Sequence, residues 1–337
     1  MSGWRVTATP RHFFLDQEPV RHLREAGCEF VDSGWGHGEA DSTLGGDELV
    51  STLSDVDAAV IGGCKLSAPV LQRLPRLKVL ARRGVGYETV DVLAATARGI
   101  VITITPGANS NAVADHAFAL LLAVCRNLLE GHLCVSEGGW RAFMGTELWG
   151  KTLGIVGLGR IGKRVALRAR GFGMTVLASD PVHDYDFAAL HAICYSDLQG
   201  LLERSDFVSI HAPLTDDTHH LINEETLAMM KPSSVLINTA RGPLVDLGAL
   251  EAALIAGHLH GAGIDVFDEE PPGRVALASL PRVVVSPHTA GYSGEGIALG
   301  NLMAARSITE IMAGRLPEPD AVVNPSVWAT ARARAGD

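Results

Sequence analysis

Three polar side chains follow or close short apolar runs, and each is of a type that can hold an anion or move a proton. Arg241 follows Ile237-Asn238-Thr239-Ala240, Glu270 sits in Asp265-Val266-Phe267-Asp268-Glu269-Glu270-Pro271, and His288 follows Val285-Ser286-Pro287. A guanidinium grips a carboxylate through two parallel N–H donors. An imidazole exchanges a proton with an oxygen near neutral pH. A neighbouring carboxylate would orient that ring and favour its protonated form. Singly, each residue has an ordinary reading: a surface salt bridge, part of a solvated acidic run, a satisfied loop histidine. In an open α/β sheet, however, ligands bind outside the carboxyl ends of the strands, so residues that close successive strands can converge on one crevice.

A second stretch supplies what this chemistry needs as a partner. Thr152-Leu153-Gly154-Ile155-Val156 is a short apolar run with the pattern of a strand buried on both faces. It leads into Gly157-Leu158-Gly159-Arg160-Ile161-Gly162, then helical spacing at Val165, Ala166 and Ala169, a stop at Gly171-Phe172-Gly173, a second strand from Met174 to Ala178, and Asp180 at its end. In such a turn Gly157 makes the tight bend, Gly159 lets backbone N–H groups approach a pyrophosphate, and Gly162 lets the helix pack on the strand. Alone the glycine spacing is weak, but strand, helix and acid in order are its confirming context. Asp180 would accept hydrogen bonds from the ribose hydroxyls and repel a 2′-phosphate, and Pro181-Val182-His183 offers no arginine to receive one, so NAD is favoured over NADP. Together the two stretches meet the needs of hydride transfer between NAD and a small 2-hydroxy acid.

The elements that must position these residues alternate between strand and helix. Strands are expected at Trp4–Thr9, Cys28–Val31, Ala58–Ile61, Leu77–Ala81 and Ile100–Ile104, with helices between them; Asp32–Gly46 reads as an exposed loop. That is a parallel sheet of its own, ahead of the glycine turn. From Asn109 one long helix is expected to about Glu137, apolar almost all round in its middle and therefore buried against another domain or subunit. After Asp180, strands are expected at Phe207–His211, Ser234–Asn238, Gly261–Val266 and Val283–Ser286. A last helix near Gly296–Ala313 should return to the N-terminal domain, and the tail after Trp328 should be disordered.

The bulk numbers narrow the class. The chain has 337 residues, 47% hydrophobic and 20% charged, which fits about two globular domains. A net charge of −10 gives no basic footprint for nucleic acid or an anionic membrane. The N-terminus has no signal-peptide pattern, and the longest apolar run, Ala117–Val124, is too short to span a bilayer. The five cysteines are scattered with no metal-binding spacing, as expected of reduced thiols in a cytoplasmic protein.

With these residues in view, the chain resembles the D-isomer-specific 2-hydroxyacid dehydrogenases, the group that includes D-3-phosphoglycerate dehydrogenase. The likeness spans roughly 56–325. It is carried by Arg83-Gly84-Val85-Gly86-Tyr87, Asn109–His116, Gly154–Gly162, His211-Ala212-Pro213-Leu214-Thr215, Asn238–Gly242, Asp265–Pro271 and Ser286–Gly291. The resemblance implies an α/β fold of two Rossmann-like domains: a parallel-sheet NAD-binding domain (105–289) inserted into a flavodoxin-like substrate domain (1–104 with 290–337). It also implies a homodimer through the helix near 109–137 and a cleft that closes on substrate. By the same resemblance Arg241 binds the substrate carboxylate and polarises the keto group, His288 is the proton donor and acceptor, and Glu270, directly before proline, is its partner. The Val85 and Gly86 amides share the carboxylate beside Arg83. Arg160 and Ile161 contact the pyrophosphate, and Asp180 the ribose. His211, Ala212, Pro213 and Thr218 wall the adenosine side, Thr239 and Ala240 lie along the nicotinamide half, and Asp265 holds the carboxamide with Gly291 close by.

Glu88-Thr89 stand where the family often carries Asp-Asn, and no regulatory C-terminal domain is expected, hence no control by serine through one. The substrate stays open among phosphoglycerate, hydroxypyruvate or glyoxylate, and a phosphonate or phosphite; Arg82 and Arg83 could meet a second anionic group. A formate dehydrogenase is disfavoured because it would leave His288 and Glu270 idle. Two rivals of other classes are an NAD(H)-sensing corepressor-like binding protein and an S-adenosylhomocysteine hydrolase-like enzyme, whose lysine–aspartate set is not found.

Overall fold

The structure, a computed structural model, describes residues 3–14, 16–34 and 43–328, so most of the expected Asp32–Gly46 loop and the tail after Trp328 lie outside the described residues. The chain divides into two compact units, Met1–Asn109 with Ser293–Asp337, and Ser110–Tyr292.

The first unit carries five parallel strands, β1 (Arg5–Ala8), β2 (Glu29–Phe30), β3 (Ala58–Ile61), β4 (Val79–Arg82) and β5 (Val101–Thr103), in the order β2-β1-β3-β4-β5. They alternate with α1 (Gln17–Glu25), α2 (Gly46–Leu53), α3 (Ala68–Gln72) and α4 (Val92–Ala97). β3 reads Ala-Ala-Val-Ile and every residue is buried, because helices cover both faces of a parallel sheet. Asp91 fixes the start of α4 by accepting the Ala94 N–H.

The second unit opens with α5 (Ser110–Cys125) and α6 (Leu128–Ser136). There follow β6 (Thr152–Val156), α7 (Arg160–Gly171), β7 (Thr175–Ser179), α8 (Tyr185–Leu190), β8 (Ile193–Tyr195), α9 (Leu198–Arg204) and β9 (Phe207–Ile210). Then come α10 (Glu224–Ala228), β10 (Val235–Asn238), α11 (Leu247–Ile255), β11 (Gly261–Ile264) and β12 (Val283–Val285). The sheet is parallel throughout, in the order β12-β11-β10-β9-β6-β7-β8. Neighbouring residues go to opposite faces. Ile155, Val176, Phe207 and Val235 enter one apolar cluster, while Val156, Leu177, Val208 and Leu236 enter the other.

The expected single helix from Asn109 to Glu137 is not formed. α5 and α6 are bent by 62° at a break where Asn127 is left-handed, φ 50°, with its Nδ2 donating to the Met144 carbonyl. Asn tolerates that conformation better than most residues, and no glycine or proline marks the break. Nor does α5 wait for another domain or subunit to cover it: it packs on α7, β10, β11 and β12 of its own unit. α6 is different, with no buried residue and with Leu128, Leu129, Leu133 and Val135 exposed. No single helix among the described residues is long and apolar enough to cross a membrane.

The chain then re-enters the first unit as α12 (Gly294–Met312), started by Ser293 Oγ accepting the Gly296 N–H and packed on α1, β3 and β4. Past it, Asn324 accepts the Ile102 N–H and donates to the Ile100 carbonyl, which ties the last described residues to β5.

Candidate active site

Strands β10, β11 and β12 are neighbours, so the residues following their carboxyl ends lie side by side. After β10, the Asn238 side chain holds the next turn. Its Oδ1 accepts the Ala240 N–H at 3.0 Å and its Nδ2 donates to the Arg241 carbonyl at 2.9 Å. At Gly242 a Cβ would stand 2.1 Å from the Phe267 carbonyl carbon, so only glycine lets this turn pack on the segment after β11. That contact sets Arg241 beside the Phe267–Glu270 stretch. Glu270 Oε1 accepts the Phe267 N–H at 3.0 Å, and Oε2 lies 2.6 Å from His288 Nδ1. Burial alone would raise the Glu270 pKa; the bonds from His288 and the Phe267 amide, with the positive fields of His288 and Arg241, outweigh it and hold the carboxyl below its usual range. An ionised carboxylate only accepts, so Nδ1 carries the proton of that bond. Nε2 of the half-exposed ring is then the atom left for proton exchange.

His288 itself is left-handed, φ 52°. Its N–H donates to the Asp265 carbonyl at 2.8 Å, and the Asp265 carboxylate accepts the next two amides, Thr289 to Oδ1 and Ala290 to Oδ2, both at 2.9 Å. Asp265 is fully buried. Burial would raise its pKa, but the hydrogen bonds from Ser286 and the two amides, with the His116 ring close by, pull it down, so it stays a carboxylate. His116 and Ser286 lie in stretches that carry the family resemblance, but neither was among the site residues expected from sequence. His116 lies on α5, 170 positions before Ser286, and nothing local in the chain links the two.

Five strands away from β12, in the sheet order, β7 ends at the other set of expected residues. Gly157 has φ 93°, and a Cβ there would meet the Ala212 amide at 2.6 Å. At Gly162 a Cβ would stand 2.1 Å from the Gly157 carbonyl oxygen, whereas at Gly159 it would meet nothing within 4 Å. The three glycines thus divide the tasks of bend, close helix packing and open approach. Gly159 leads into α7 without a side-chain cap, so the first N–H groups of the helix, from Arg160 and Ile161 on, face outward as an anion cradle. Asp180 is fixed on the turn: Oδ2 accepts the Leu158 N–H at 2.7 Å and Oδ1 the Val182 N–H at 2.8 Å, which leaves lone pairs for ribose hydroxyls.

Between these ends, His211 Nε2 meets Ser209 Oγ at 2.8 Å while its buried Nδ1 has no partner, and burial pushes its pKa down to about 3. The buried hydroxyl of Thr239 also has no partner. Thr218 Oγ1 donates to the Pro213 carbonyl at 2.7 Å and closes the loop after β9. A glycine cradle, an acid at the second strand and unsatisfied buried polar atoms at the strand ends together fit a dinucleotide. Ala240 lies in the turn held by Asn238, and Gly291 follows Ala290. Arg83, Val85 and Gly86 belong to the first unit, just past β4, where Gly84 N–H donates to Thr105 Oγ1 at 2.8 Å.

The chain is similar to known proteins over most of its length. Residues 118–290 match the family model described as D-isomer specific 2-hydroxyacid dehydrogenase, NAD binding domain. A glyoxylate reductase of Korarchaeum cryptofilum is 43% identical over 278 residues, covering 80% of this chain and 81% of that protein. The D-3-phosphoglycerate dehydrogenase of Methanocaldococcus jannaschii is 37% identical over 308 residues, covering 90% of this chain and 57% of that one. Among solved structures, a D-lactate dehydrogenase from Aquifex aeolicus complexed with NAD and lactic acid superposes with a TM-score of 0.77 at 29% identity, covering 95% of this chain and 99% of its own.

Proposed function

Because the chain belongs to the D-isomer-specific 2-hydroxyacid dehydrogenase family, we propose that Arg241, Glu270 and His288 carry out the interconversion of a small 2-keto acid and its D-2-hydroxy acid. Bound NAD, when reduced, supplies the hydride from nicotinamide C4 and, when oxidised, receives it. Arg241 holds the substrate carboxylate and polarises the C2 carbonyl. In the reducing direction His288 gives its Nε2 proton to the C2 oxygen, and in the oxidising direction it takes that proton back. Glu270 keeps the ring oriented and stabilises the imidazolium before transfer. Asp265 would hold the carboxamide, with Gly291 close by. Thr239 and Ala240 flank the nicotinamide half, Arg160 and Ile161 the pyrophosphate, Asp180 the ribose, and His211, Ala212, Pro213 and Thr218 the adenosine side. In the first unit, Arg83 and the amides of Val85 and Gly86 are proposed as further anion contacts.

The observation that carries this reading is the 2.6 Å bond between His288 Nδ1, after β12, and Glu270 Oε2, after β11, with β11 lying next to β10, which delivers Arg241. The glyoxylate reductase relative supports a short keto acid, glyoxylate or hydroxypyruvate. The phosphoglycerate dehydrogenase relative, with Arg82 and Arg83 beside the loop after β4, supports a phosphorylated one. Purified protein with NADH and a panel of glyoxylate, hydroxypyruvate, phosphohydroxypyruvate, pyruvate and a keto phosphonate decides between them. NADH should be consumed with at least one acid; no consumption with any would favour an NAD(H)-sensing binding protein. His288→Ala should lower kcat by roughly 10²- to 10⁴-fold while NADH still binds. Wild-type rates in that variant would remove His288 from the reaction.

The exposed apolar side chains of α6 support a homodimer built on that helix. Five free thiols support a reducing, cytoplasmic setting.

A further inference from the structure

His288 adopts a left-handed conformation that L side chains avoid, and such a conformation persists only where the surroundings over-determine it. Here one residue does so. The N–H groups of Thr289 and Ala290 end on the two carboxylate oxygens of Asp265, and that of His288 on its carbonyl at 2.8 Å, with the Ser286 carbonyl sharing it at 3.1 Å. The angle of that carboxylate therefore sets the turn that presents the imidazole.

The carboxylate is in turn fixed from behind. Ser286 Oγ lies 2.5 Å from Asp265 Oδ1, and His116 Nε2 lies 2.8 Å from the same hydroxyl. The direction of this chain follows from what each group can do. An ionised carboxylate has no proton to give, so the hydroxyl proton points to Asp265, and the free lone pair of Ser286 receives the N–H of His116. His116 stands only 3.5 Å from Oδ1 itself, too far and too crowded by the shorter bond to replace it.

We propose that His116 and Ser286 are positioning residues for proton transfer: through Asp265 they hold the His288 turn in register, linking α5 to the reacting imidazole. The proposal rests on the reading of His288 given above. Loss of the Ser286 hydroxyl removes the shortest bond to Oδ1 and lets the carboxylate rotate, so the turn relaxes and Nε2 moves off the substrate oxygen. Proton transfer depends on the one His288 ring, whereas the cofactor is held by many groups besides Asp265, so NADH binding should suffer less than turnover.

The test uses the full chain with NADH and whichever keto acid of the panel it reduces. In Ser286→Ala, kcat should fall about tenfold or more while the Kd for NADH, read by fluorescence, stays within about threefold, since a misplaced catalytic group costs rate before it costs cofactor affinity. The solvent deuterium isotope effect on kcat should rise as proton transfer becomes slower than the other steps. Ser286→Thr, which keeps the hydroxyl, should restore most of the rate. His116→Leu should lower kcat alone but add nothing in the Ser286→Ala background, because its route runs through that hydroxyl. Wild-type kcat in Ser286→Ala, no rescue by threonine, or multiplying losses in the double variant would each overturn the proposal. If Ser286→Ala does not fold, an unchanged kcat and isotope effect in His116→Leu would overturn it as well. A wild-type protein that reduces no acid on the panel would defeat the functional reading instead, and this inference with it.

Discussion

His211, after β9, and His288, after β12, close strands of the same sheet but sit in opposite environments. His288 is half-exposed and backed by Glu270, whereas His211 is held neutral by burial, its pKa down to about 3. The pH consequence of the second follows from linkage. Between about 3 and its ordinary value of about 6.5, the unfolded chain binds a proton at this position that the folded chain does not, so His211 makes stability rise with pH across that window. Replacing it by asparagine should therefore reduce the loss of Tm between about pH 7 and about pH 5, and a melt series in the two buffers measures it. Asp180 makes a prediction of another kind. Both of its oxygens already anchor backbone amides, so the carboxylate cannot swing away from a 2′-phosphate. Asp180→Ala combined with Pro181→Arg should shift kcat/KM toward NADPH by about ten- to a hundredfold, and an unchanged cofactor ratio would count against Asp180 as the selector.

At the scale of elements, the strand–turn–helix of β6 and α7 separates folding from binding within six residues. Gly162→Ala puts a methyl group 2.1 Å from a carbonyl oxygen and should cost about 1–3 kcal/mol or more of stability. Gly159→Ala meets nothing in the protein, so its Tm should stay near wild type while NADH binding weakens by the intruding methyl. Melting curves and NADH titrations of the two variants should show opposite profiles. This motif was fully legible in the sequence because its glycines, its apolar strand and Asp180 are local in the chain. So were β3, β10 and β11, whose buried faces demand continuous apolar runs. The same reasoning passed over α8, β8 and α9. β8 is three residues at the sheet edge, Ile193-Cys194-Tyr195, with only Ile193 buried, and so carries almost no pattern. It also joined α5 to α6, since the break at Asn127 depends on a backbone angle and a bond to Met144 that no spacing announces. Arg241, Glu270 and His288 could be singled out as candidates because each follows a readable strand. The Ser286–His116 contact could not, because it exists only after α5 has docked on β11 and β12.

At the scale of the whole molecule, a run of strongly exposed apolar side chains stands out among the described residues of the second unit. Leu133 is 52% exposed, Val135 57%, Trp140 94%, Met144 93% and Trp149 76%, all within one continuous stretch of chain. Exposure on that scale marks an association surface more often than idle surface. Sedimentation of the wild type should give twice the mass of one chain, and Leu133→Glu with Trp140→Glu should return it to a monomer that still binds NADH. A wild-type monomer at micromolar concentration would remove the proposed dimer.

The interrupted first unit has a consequence for how the protein is made. Ala304, Ala305 and Ile308 of α12 share a core cluster with Val6, Ala8, Val60 and Val79, and Asn324 completes the edge at β5. The second unit is a single uninterrupted segment. During synthesis the nascent chain therefore exposes the apolar floor of its earliest strands until the final helix leaves the ribosome. At ordinary translation speeds that delay is roughly tens of seconds. The unit whose strands emerge first is therefore the one completed last.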